Sequence, residues 1–418
     1  MKLRLLTVIT CIPLLTFAQQ TITLEQCYQA AEANFPLNGQ SQHLIDITDA
    51  NLLKINAIWQ PKVYINAQAS YQSDVTGLPI SFPGIEVPEL SKDQYKATLD
   101  VSQILYDGGA SAQQKAVAEQ QLAVEEQKLV VDRYRVLDKV NQFYLAVMLS
   151  EARMELLSKN EERIRVYLEY TSAAQQFGVA SEMQVLEFRA ELLRIHQQVT
   201  EVRAMKQIAL EALKVLTGLT IDDNATFTAP TTEVNNPTLM RPELELFNRQ
   251  KGLFDLQRSF AEAPSQPTIS LFAQGGYGRP GLNMLVDSFA FYYIGGIKLS
   301  YPLWTGNTRK RDASIYASNS AITDLQILNF QQSITIQSTQ YQQDIIKYEQ
   351  FLREDDSIIT LRNMLFDGAT LQFNEGAASS RDVIDYLHDQ SDAVMAKRIH
   401  ELQLTATKVN YLTLIGQR

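Results

Sequence analysis

Few side chains in this sequence are arranged in a way that could carry out chemistry. The four histidines have no metal-ligand spacing, and no nucleophile motif accompanies them. The segment Gly276–Gly281 has the letters of a dinucleotide-binding loop. That loop needs a helix N-terminus directly after the glycines to hold a pyrophosphate, whereas Pro280 intervenes here and a further strand is predicted. The sequence therefore predicts no enzyme, no cofactor and no metal site.

Two aspartates near the C-terminus stand at a predicted helix start. Ser379 and Asp382 have the spacing of a capping box, in which the two side chains bond the first backbone N–H groups of a helix. Ser181 and Gln184 have the same spacing. A carboxylate is also favourable at a helix N-terminus because of the helix dipole. Capping accounts for Asp382 but not for Asp385, which needs another explanation.

The chain is a tandem repeat, and the repeat places both of these turns. Three motifs recur with one shift of 198 residues and no gap. They are Leu105–Gly109 with Leu303–Asn307, Gly178–Ser181 with Gly376–Ser379, and Leu216–Gly218 with Leu414–Gly416. Each half is therefore predicted to form a strand, a long helix, a turn and a return helix. Gly178 and Gly376 stand where a helix C-terminus favours glycine.

The predicted organisation follows from these motifs and from the apolar periodicity. Residues 1–18 have the charged start, apolar core and small-residue cleavage site of a secretory signal. A first repeat over 19–218, a connecting segment over 219–240 and a second repeat over 241–418 follow. The predicted strands are 61–73, 94–105, 267–278 and 289–303. The predicted helices are 23–58, 108–176, 181–216, 241–262, 308–374 and 379–415.

Two of these helices are too long for an ordinary globular domain. Residues 110–176 and 308–374 contain no proline, and Gly368 is their one glycine. A helix of about 67 residues is roughly 100 Å long at 1.5 Å per residue. Apolar residues recur every seven positions in the first of them, which predicts coiled-coil packing. They are Leu122, Leu129, Val136 and Phe143, and also Val140, Val147 and Met154.

Composition excludes further classes of protein. The net charge of −10 argues against a nucleic-acid partner, which requires a basic surface. Two cysteines cannot form a disulfide framework, and Cys11 in the predicted signal leaves Cys27 as a lone thiol. Beyond that signal no apolar run approaches the roughly 20 residues of a membrane helix. Any membrane contact is therefore expected from another element.

The four predicted strands supply such an element. In each of them the apolar residues lie mainly at odd-numbered positions, as in a membrane barrel or in a half-buried soluble sheet. Polar residues at even-numbered positions include Lys96, Thr98, Asp100, Ser102, Ser270, Gln274, Lys298 and Ser300. Aromatic residues crowd both strand ends, which favours the membrane interpretation. Four strands cannot close a barrel, and open edges cannot face lipid, so other copies must complete it. Two copies give eight strands and a plugged bore, whereas three give twelve and a bore wide enough for a duct.

These features together resemble the TolC family of outer membrane efflux proteins over the whole mature chain. The resemblance is carried by the two strand-ending motifs, by the two Gly-x-Ala-Ser turns and by the run Arg381–Asp385. It implies an α+β membrane protein, a homotrimer with a 12-stranded β-barrel and a periplasmic α-barrel. It also implies outer membrane lipid, a periplasmic adaptor and an inner-membrane pump of RND, ABC or MFS type as partners.

The same resemblance assigns roles to individual residues. Asp382 and Asp385 correspond to acidic rings at the periplasmic aperture, with Arg381 and Glu182 as candidate latch residues beside them. The family's aromatic and ionic latch is altered here, since its positions hold Phe373, Ala378 and Gln184. The predicted adaptor-docking turns comprise Phe177, Gly178, Val179, Ala180, Ser181, Glu375, Gly376, Ala377, Ala378 and Ser379. The predicted strand–helix junctions comprise Asp107, Gly108, Gly109, Pro302 and Gly306.

The predicted function is a passive trimeric exit duct for tripartite efflux or type I secretion, gated at its periplasmic helical tip. The alternative is an exported structural or adhesive coiled-coil protein without a pore. That alternative predicts polar residues on both faces of the sheet, which the odd-numbered apolar positions oppose. The sequence leaves the cargo open between drugs, metal ions and a secreted polypeptide.

Overall fold

The computed structural model of the chain describes residues 20–76, 90–223, 225–234, 238–263 and 265–418. The predicted signal and most of the first strand–strand loop lie outside these residues. The chain divides into two compact units, and neither of them is one of the two repeats. The helical unit comprises the described parts of Met1–Asn38, Val130–Pro242 and Phe330–Arg418, and the sheet unit comprises those of Gly39–Leu129 and Glu243–Asn329.

Seven α-helices and six strands make up the described part of the chain. The helices are α1 Leu24–Ala33, α2 Gln40–Asn56, α3 Ala110–Gln176, α4 Glu182–Thr217, α5 Pro242–Glu262, α6 Thr308–Asn374 and α7 Ser380–Ile415. The strands are β1 Thr21–Ile22, β2 Lys62–Tyr71, β3 Asp93–Tyr106, β4 Thr226–Phe227, β5 Thr268–Arg279 and β6 Ala290–Ser300. Both 67-residue helices, α3 and α6, are continuous.

The single helix predicted over 23–58 is wrong, because the chain breaks there. Helix α1 ends before a 3₁₀ turn at Pro36–Gly39, and a second 3₁₀ turn at Ala57–Trp59 follows α2. Pro36 lacks a backbone N–H and disfavours helical geometry in the residue before it. The side-chain amide of Asn38 donates to the carbonyls of Glu32 at 2.7 Å and Ala33 at 3.2 Å, which satisfies the exposed end of α1.

The sheet unit contains one antiparallel sheet with the strand order β2-β3-β5-β6. Every cross-strand pair joins odd with odd or even with even residue numbers, up to a bulge between Ile104 and Tyr106. Because side chains alternate along a strand, all odd-numbered residues share one face of the sheet. Strand β6 ends at Ser300 and not at 303, since Pro302 has no N–H to donate to a neighbouring strand.

The helical unit is held together by a core around α3. Tyr144, Val140 and Val147 of α3 are fully buried and pack with residues of α1, α4 and α7. The Tyr144 hydroxyl lies 2.9 Å from the carbonyl of Ile22 and 2.7 Å from that of Thr228. Strand β4 is a short element of the connecting segment and pairs in parallel with β1. The Tyr144 hydroxyl thereby fixes this strand pair against α3.

The cysteine of α1 belongs to this same core. Cys27 is fully buried, carries no disulfide, and has its pKa raised to about 11 by burial. A thiol in this state is mostly protonated at neutral pH and packs as a small apolar group. The structure therefore gives Cys27 a packing role.

Candidate functional site

Two helical hairpins of the helical unit end in turns of the same construction. Gly178 and Gly376 have φ of +71° and +74°, in the left-handed region that favours glycine. Around Gly178 the N–H groups of Val179 and Ala180 donate to the carbonyl of Ala174 at 2.9 and 3.4 Å. Around Gly376 the N–H groups of the two following alanines donate to Gln372 at 2.8 and 3.2 Å. The turns therefore close the ends of α3 and α6 in the same way.

Capping boxes open the return helices, as their spacing predicts. In the first turn the N–H of Ser181 donates to Gln184 at 2.8 Å, and the N–H of Gln184 donates to the serine hydroxyl at 3.3 Å. In the second turn the Ser379 N–H donates to the Asp382 carboxylate at 2.8 Å, and the returned bond is 3.2 Å long. Gln184 therefore caps its own helix and is engaged within the chain.

The second turn carries an acidic pair, Asp382 and Asp385, whereas the first turn has the neutral Gln184 at the position of Asp382. Hydrogen bonds from the Ser379 hydroxyl and N–H lower the pKa of the Asp382 carboxyl, and the charge of Arg381 lowers it further. Asp385 is about two-thirds exposed, and its carboxylate lies 3.9 Å from the Arg381 guanidinium. Among the described residues Arg381 therefore pairs with Asp385 and not with Glu182. Both carboxylates stay at the surface of one copy of the chain.

The first turn presents apolar side chains, whereas the second presents small ones. Phe177 and Val179 are 83% and 81% exposed. Glu375 and Ala377 are exposed in the second turn, and Ala378 is half-buried against the core near the turns. A Cβ atom at Gly178 or Gly376 would meet nothing within 4 Å, so both turns are open to a partner surface.

An aromatic cluster lies directly behind the turns. Phe188 is fully buried and stacks on Tyr167 with ring centroids 5.7 Å apart, and Phe373 meets both rings edge-on. Phe373 is 8% exposed, so it packs inside one copy of the chain. The Tyr167 hydroxyl lies 3.0 Å from the hydroxyl of Thr370 on α6. The position of the family's aromatic latch thus has a core role here.

Polar contacts between the two hairpins form a second group that the sequence did not indicate. The Ser380 hydroxyl, which is fully buried, donates to the Glu187 carboxylate across α7 and α4. Farther from the turns Glu191 of α4 lies 2.7 Å from the His388 imidazole and 2.9 Å from the Arg194 guanidinium. Burial raises the pKa of Glu191, but the bonds from His388 and Arg194 outweigh burial and lower it overall.

The sheet presents two chemically different faces. On the odd-numbered face the apolar side chains of the described strands are open, with Ile65 at 82%, Phe291 at 85% and Tyr293 at 86% exposure. On the even-numbered face Asp100 accepts hydrogen bonds from Asn66 at 2.6 Å, from Thr98 at 2.8 Å and from Gln274. This bonding across β2, β3 and β5 shows that the polar side chains share the opposite face.

The junction between β3 and α3 is a tight turn held by one carboxylate. Asp107 accepts from the N–H groups of Gly109 at 2.9 Å and Ser111 at 2.7 Å. Gly108 has φ of +71°, and a Cβ there would lie 2.4 Å from the Cβ of Gln266. The predicted junction residue Gly306 also has a positive φ of +66°, but a Cβ there would meet nothing within 4 Å.

These two glycines occupy equivalent repeat positions and give a matched test of the junction. We expect Gly306→Ala to lose about 1 kcal/mol of stability, because only the left-handed backbone is strained. Gly108→Ala is expected to lose about 1–3 kcal/mol more, since its Cβ overlaps Gln266. Thermal unfolding of the detergent-solubilised protein measures both losses, and equal Tm shifts would contradict the packing argument.

No helix in the described part of the chain is both long and apolar enough to cross a membrane. Among the same residues, no group of histidine, cysteine and carboxylate side chains could hold a metal ion. The features available for function are thus the two-faced sheet, the two hairpin turns and the contacts behind them.

Comparison with known proteins gives a family. The sequence model described as outer membrane efflux protein matches residues 27–219, a range that nearly coincides with the predicted first repeat. Over these residues the chain is similar to the outer membrane efflux protein family. The resemblance predicted from the sequence is thereby confirmed. A comparison with curated proteins found no match.

Solved structures share the fold of this chain at low sequence identity. VceC from Vibrio cholerae has a TM-score of 0.67 at 16% identity, covering 94% of this chain and 96% of VceC. The Campylobacter jejuni CmeC channel has a TM-score of 0.65 at 16% identity, and the match covers 94% of this chain and 86% of CmeC. The open state of Neisseria gonorrhoeae MtrE has a TM-score of 0.65 at 15% identity, and the match covers 94% of this chain and 88% of MtrE. At these identities the similarity establishes the fold.

The family match and the matched channels place this chain in the outer membrane, with a helical extension in the periplasm. It is a family of efflux channels and not of enzymes. The faces of the sheet and the helical hairpins can therefore be considered as parts of a transport protein.

Proposed function

We propose that three copies of this chain form one exit duct through the outer membrane. The observation that carries the proposal is the four-stranded sheet with one apolar face, one polar face and two free edges. Neither β2 nor β6 has a strand partner on its outer side among the described residues. An unpaired edge is unstable in lipid, so β2 of one copy is expected to pair with β6 of the next.

The proposed number of copies follows from the strand count. Three copies contribute twelve strands, whereas two would contribute eight and close a bore that side chains fill. In the twelve-stranded barrel the odd-numbered face contacts lipid and the even-numbered face lines the bore. The exposed Ile65, Phe291 and Tyr293 then lose their contact with water.

The proposed gate consists of Asp382 and Asp385 from each copy, at the periplasmic end of the helices. Three copies of these carboxylates in a narrow opening repel one another and attract cations. Asp385 supports this role because its carboxylate is exposed. It takes no part in the helix cap, which Asp382 forms with Ser379. Gating is passive, and an inner-membrane pump supplies the energy.

The proposed docking surface for a periplasmic adaptor consists of the two hairpin turns, residues 177–181 and 375–379. The exposed side chains of Phe177 and Val179 offer apolar contact, and the open backbone at Gly178 and Gly376 allows close approach. Apolar anchors beside small residues suit the packing of helical tips. The pump is of RND, ABC or MFS type, and the turns do not discriminate among these.

Single-channel recording in a planar bilayer tests the duct. Purified mature protein is expected to give discrete current steps of one size, because one trimer provides one bore. The competing interpretation is an exported coiled-coil protein without a pore. It predicts that the protein inserts or aggregates without producing current steps. Absence of steps from correctly assembled, detergent-purified trimers would overturn the duct.

A further inference from the structure

The polar face of the sheet carries an unequal distribution of charge. Its even-numbered positions hold three lysines, Lys62, Lys96 and Lys298, and a single carboxylate, Asp100. All three lysines are exposed, and none forms an ion pair within the described residues. The face therefore has two more positive than negative charges in each copy.

The strand register places these charges at defined levels. Lys62 pairs with Ser102 near the end of the sheet that leads into α3, and Lys298 pairs with Ser270 at the adjacent level. Lys96 pairs with Gln68 and Gly278 toward the opposite, loop-bearing end. Asp100 lies between these levels, directly opposite Tyr64.

The single carboxylate is held by three hydrogen bonds, whereas none of the three lysines forms an ion pair among the described residues. Asp100 accepts hydrogen bonds from Asn66, Thr98 and Gln274, which hold it against the strand surface. The Lys96 ammonium lies 5.6 Å from the centroid of the Tyr292 ring, and its charge also acts on the Asp100 carboxylate. The charges at the odd-numbered positions Asp93 and Arg279 pair with each other and leave no excess on that face.

We infer that the barrel bore favours anions, and that solutes with a net negative charge pass through it most readily. This inference rests on the trimeric duct proposed above, in which the even-numbered face lines the bore. Lys62 and Lys298 lie on the two outer strands at neighbouring levels, so pairing of β6 with the next β2 brings them into one belt of six lysines. Fixed charges of one sign on a confined wall raise the local concentration of counter-ions.

The bore and the acidic tip thus have opposite charge preferences. A cation attracted by Asp382 and Asp385 meets a barrier at the lysine belt, whereas an anion meets its barrier at the tip. The two regions are separable by mutation, since one lies in the sheet unit and the other in the helical unit. The screening length of about 10 Å at 0.1 M salt means that the effect of the lysines weakens at high salt.

The reversal potential across a planar bilayer under a KCl gradient tests the inference. The background is Asp382→Gln with Asp385→Asn, which removes the tip charges, and the added changes are Lys62→Gln, Lys96→Gln and Lys298→Gln. The chloride-to-potassium permeability ratio is expected to fall at least about twofold, because the anion-attracting charges are gone. With potassium gluconate in place of KCl, the gluconate-to-potassium permeability ratio is also expected to fall in the lysine variants.

Three further variants separate charge from folding. Replacing the same lysines by arginine keeps the charge and is expected to keep the permeability ratio. Asp100→Asn is expected to raise the ratio, because it removes the only negative charge of the face. Lys54→Gln on α2 removes a lysine outside the sheet and is expected to change nothing. Current steps with an unchanged ratio in both the lysine and Asp100 variants would overturn the inference, whereas absence of steps in every variant would overturn the duct itself.

Discussion

Neutralising the acidic pair of the second turn, by Asp382→Gln with Asp385→Asn, is expected to raise the conductance of the purified duct about twofold or more, because like charges in a narrow opening repel and trap cations. Block of the current by Mg²⁺ is expected to weaken in the same variant, since the carboxylates that attract the cation are removed. Single-channel recording at several Mg²⁺ concentrations measures both effects.

The choice of substitutions keeps the helix start intact. Gln184 occupies the repeat position of Asp382 and forms the same capping box with Ser181. Asp382→Gln therefore copies the first turn, whereas Asp382→Ala would lose a cap worth about 0.5–2 kcal/mol. Glu169→Gln is the matched control, because Glu169 is exposed on α3 and lies outside the turns. Equal conductance in the double variant and the control would leave both aspartates with a structural role only.

The pH dependence of the gate follows from the capping bonds of Asp382. Its folded-state pKa is lowered by the Ser379 bonds and by Arg381. A carboxyl group whose pKa is lowered in the folded state stabilises the fold at pH values above its unfolded pKa of about 3.9. This stabilisation is lost as the pH falls through the folded-state pKa. Asp382 therefore stays charged at pH 5, and Mg²⁺ block through this residue is expected to persist there.

The faces of the sheet were predictable because a strand has a period of two. The odd-numbered apolar residues of four separate segments share one face because the register keeps odd with odd across all of them. The bulge between Ile104 and Tyr106 was not predictable, since it arises where β3 turns into the junction at Asp107. The alternation alone also could not show that strands from both repeats join one sheet. Because they do, each compact unit contains parts of both repeats.

The hairpin turns were predictable from local chemistry, but the contacts between hairpins were not. A capping box and a left-handed glycine depend on residues within one turn of helix. The bonds of Glu187 with Ser380 and of Glu191 with His388 depend instead on how α4 is rotated against α7, which tertiary packing decides. Glu187 and Asp385 are equivalent in the repeat, yet the first bonds a buried serine and the second is exposed.

A charge placed on the apolar face of the sheet is expected to prevent stable insertion, whereas the same charge one residue away is expected to be tolerated. Ile65 and Asn66 are neighbours in the middle of β2 and point to opposite faces. Ile65 is 82% exposed and faces lipid in the proposed barrel. A lysine facing lipid near the bilayer centre costs about 2–4 kcal/mol per copy.

The matched change Asn66→Lys places the new ammonium beside an existing partner. The Asn66 amide donates to the Asp100 carboxylate at 2.6 Å, and a lysine at this position keeps a donor for that oxygen while facing the bore. Thermal dissociation of trimers in lipid vesicles is therefore expected at a clearly lower temperature for Ile65→Lys and near the wild-type value for Asn66→Lys. Equal destabilisation by both changes would mean that the two faces do not meet different solvents, and the assignment of the odd-numbered face to lipid would fail.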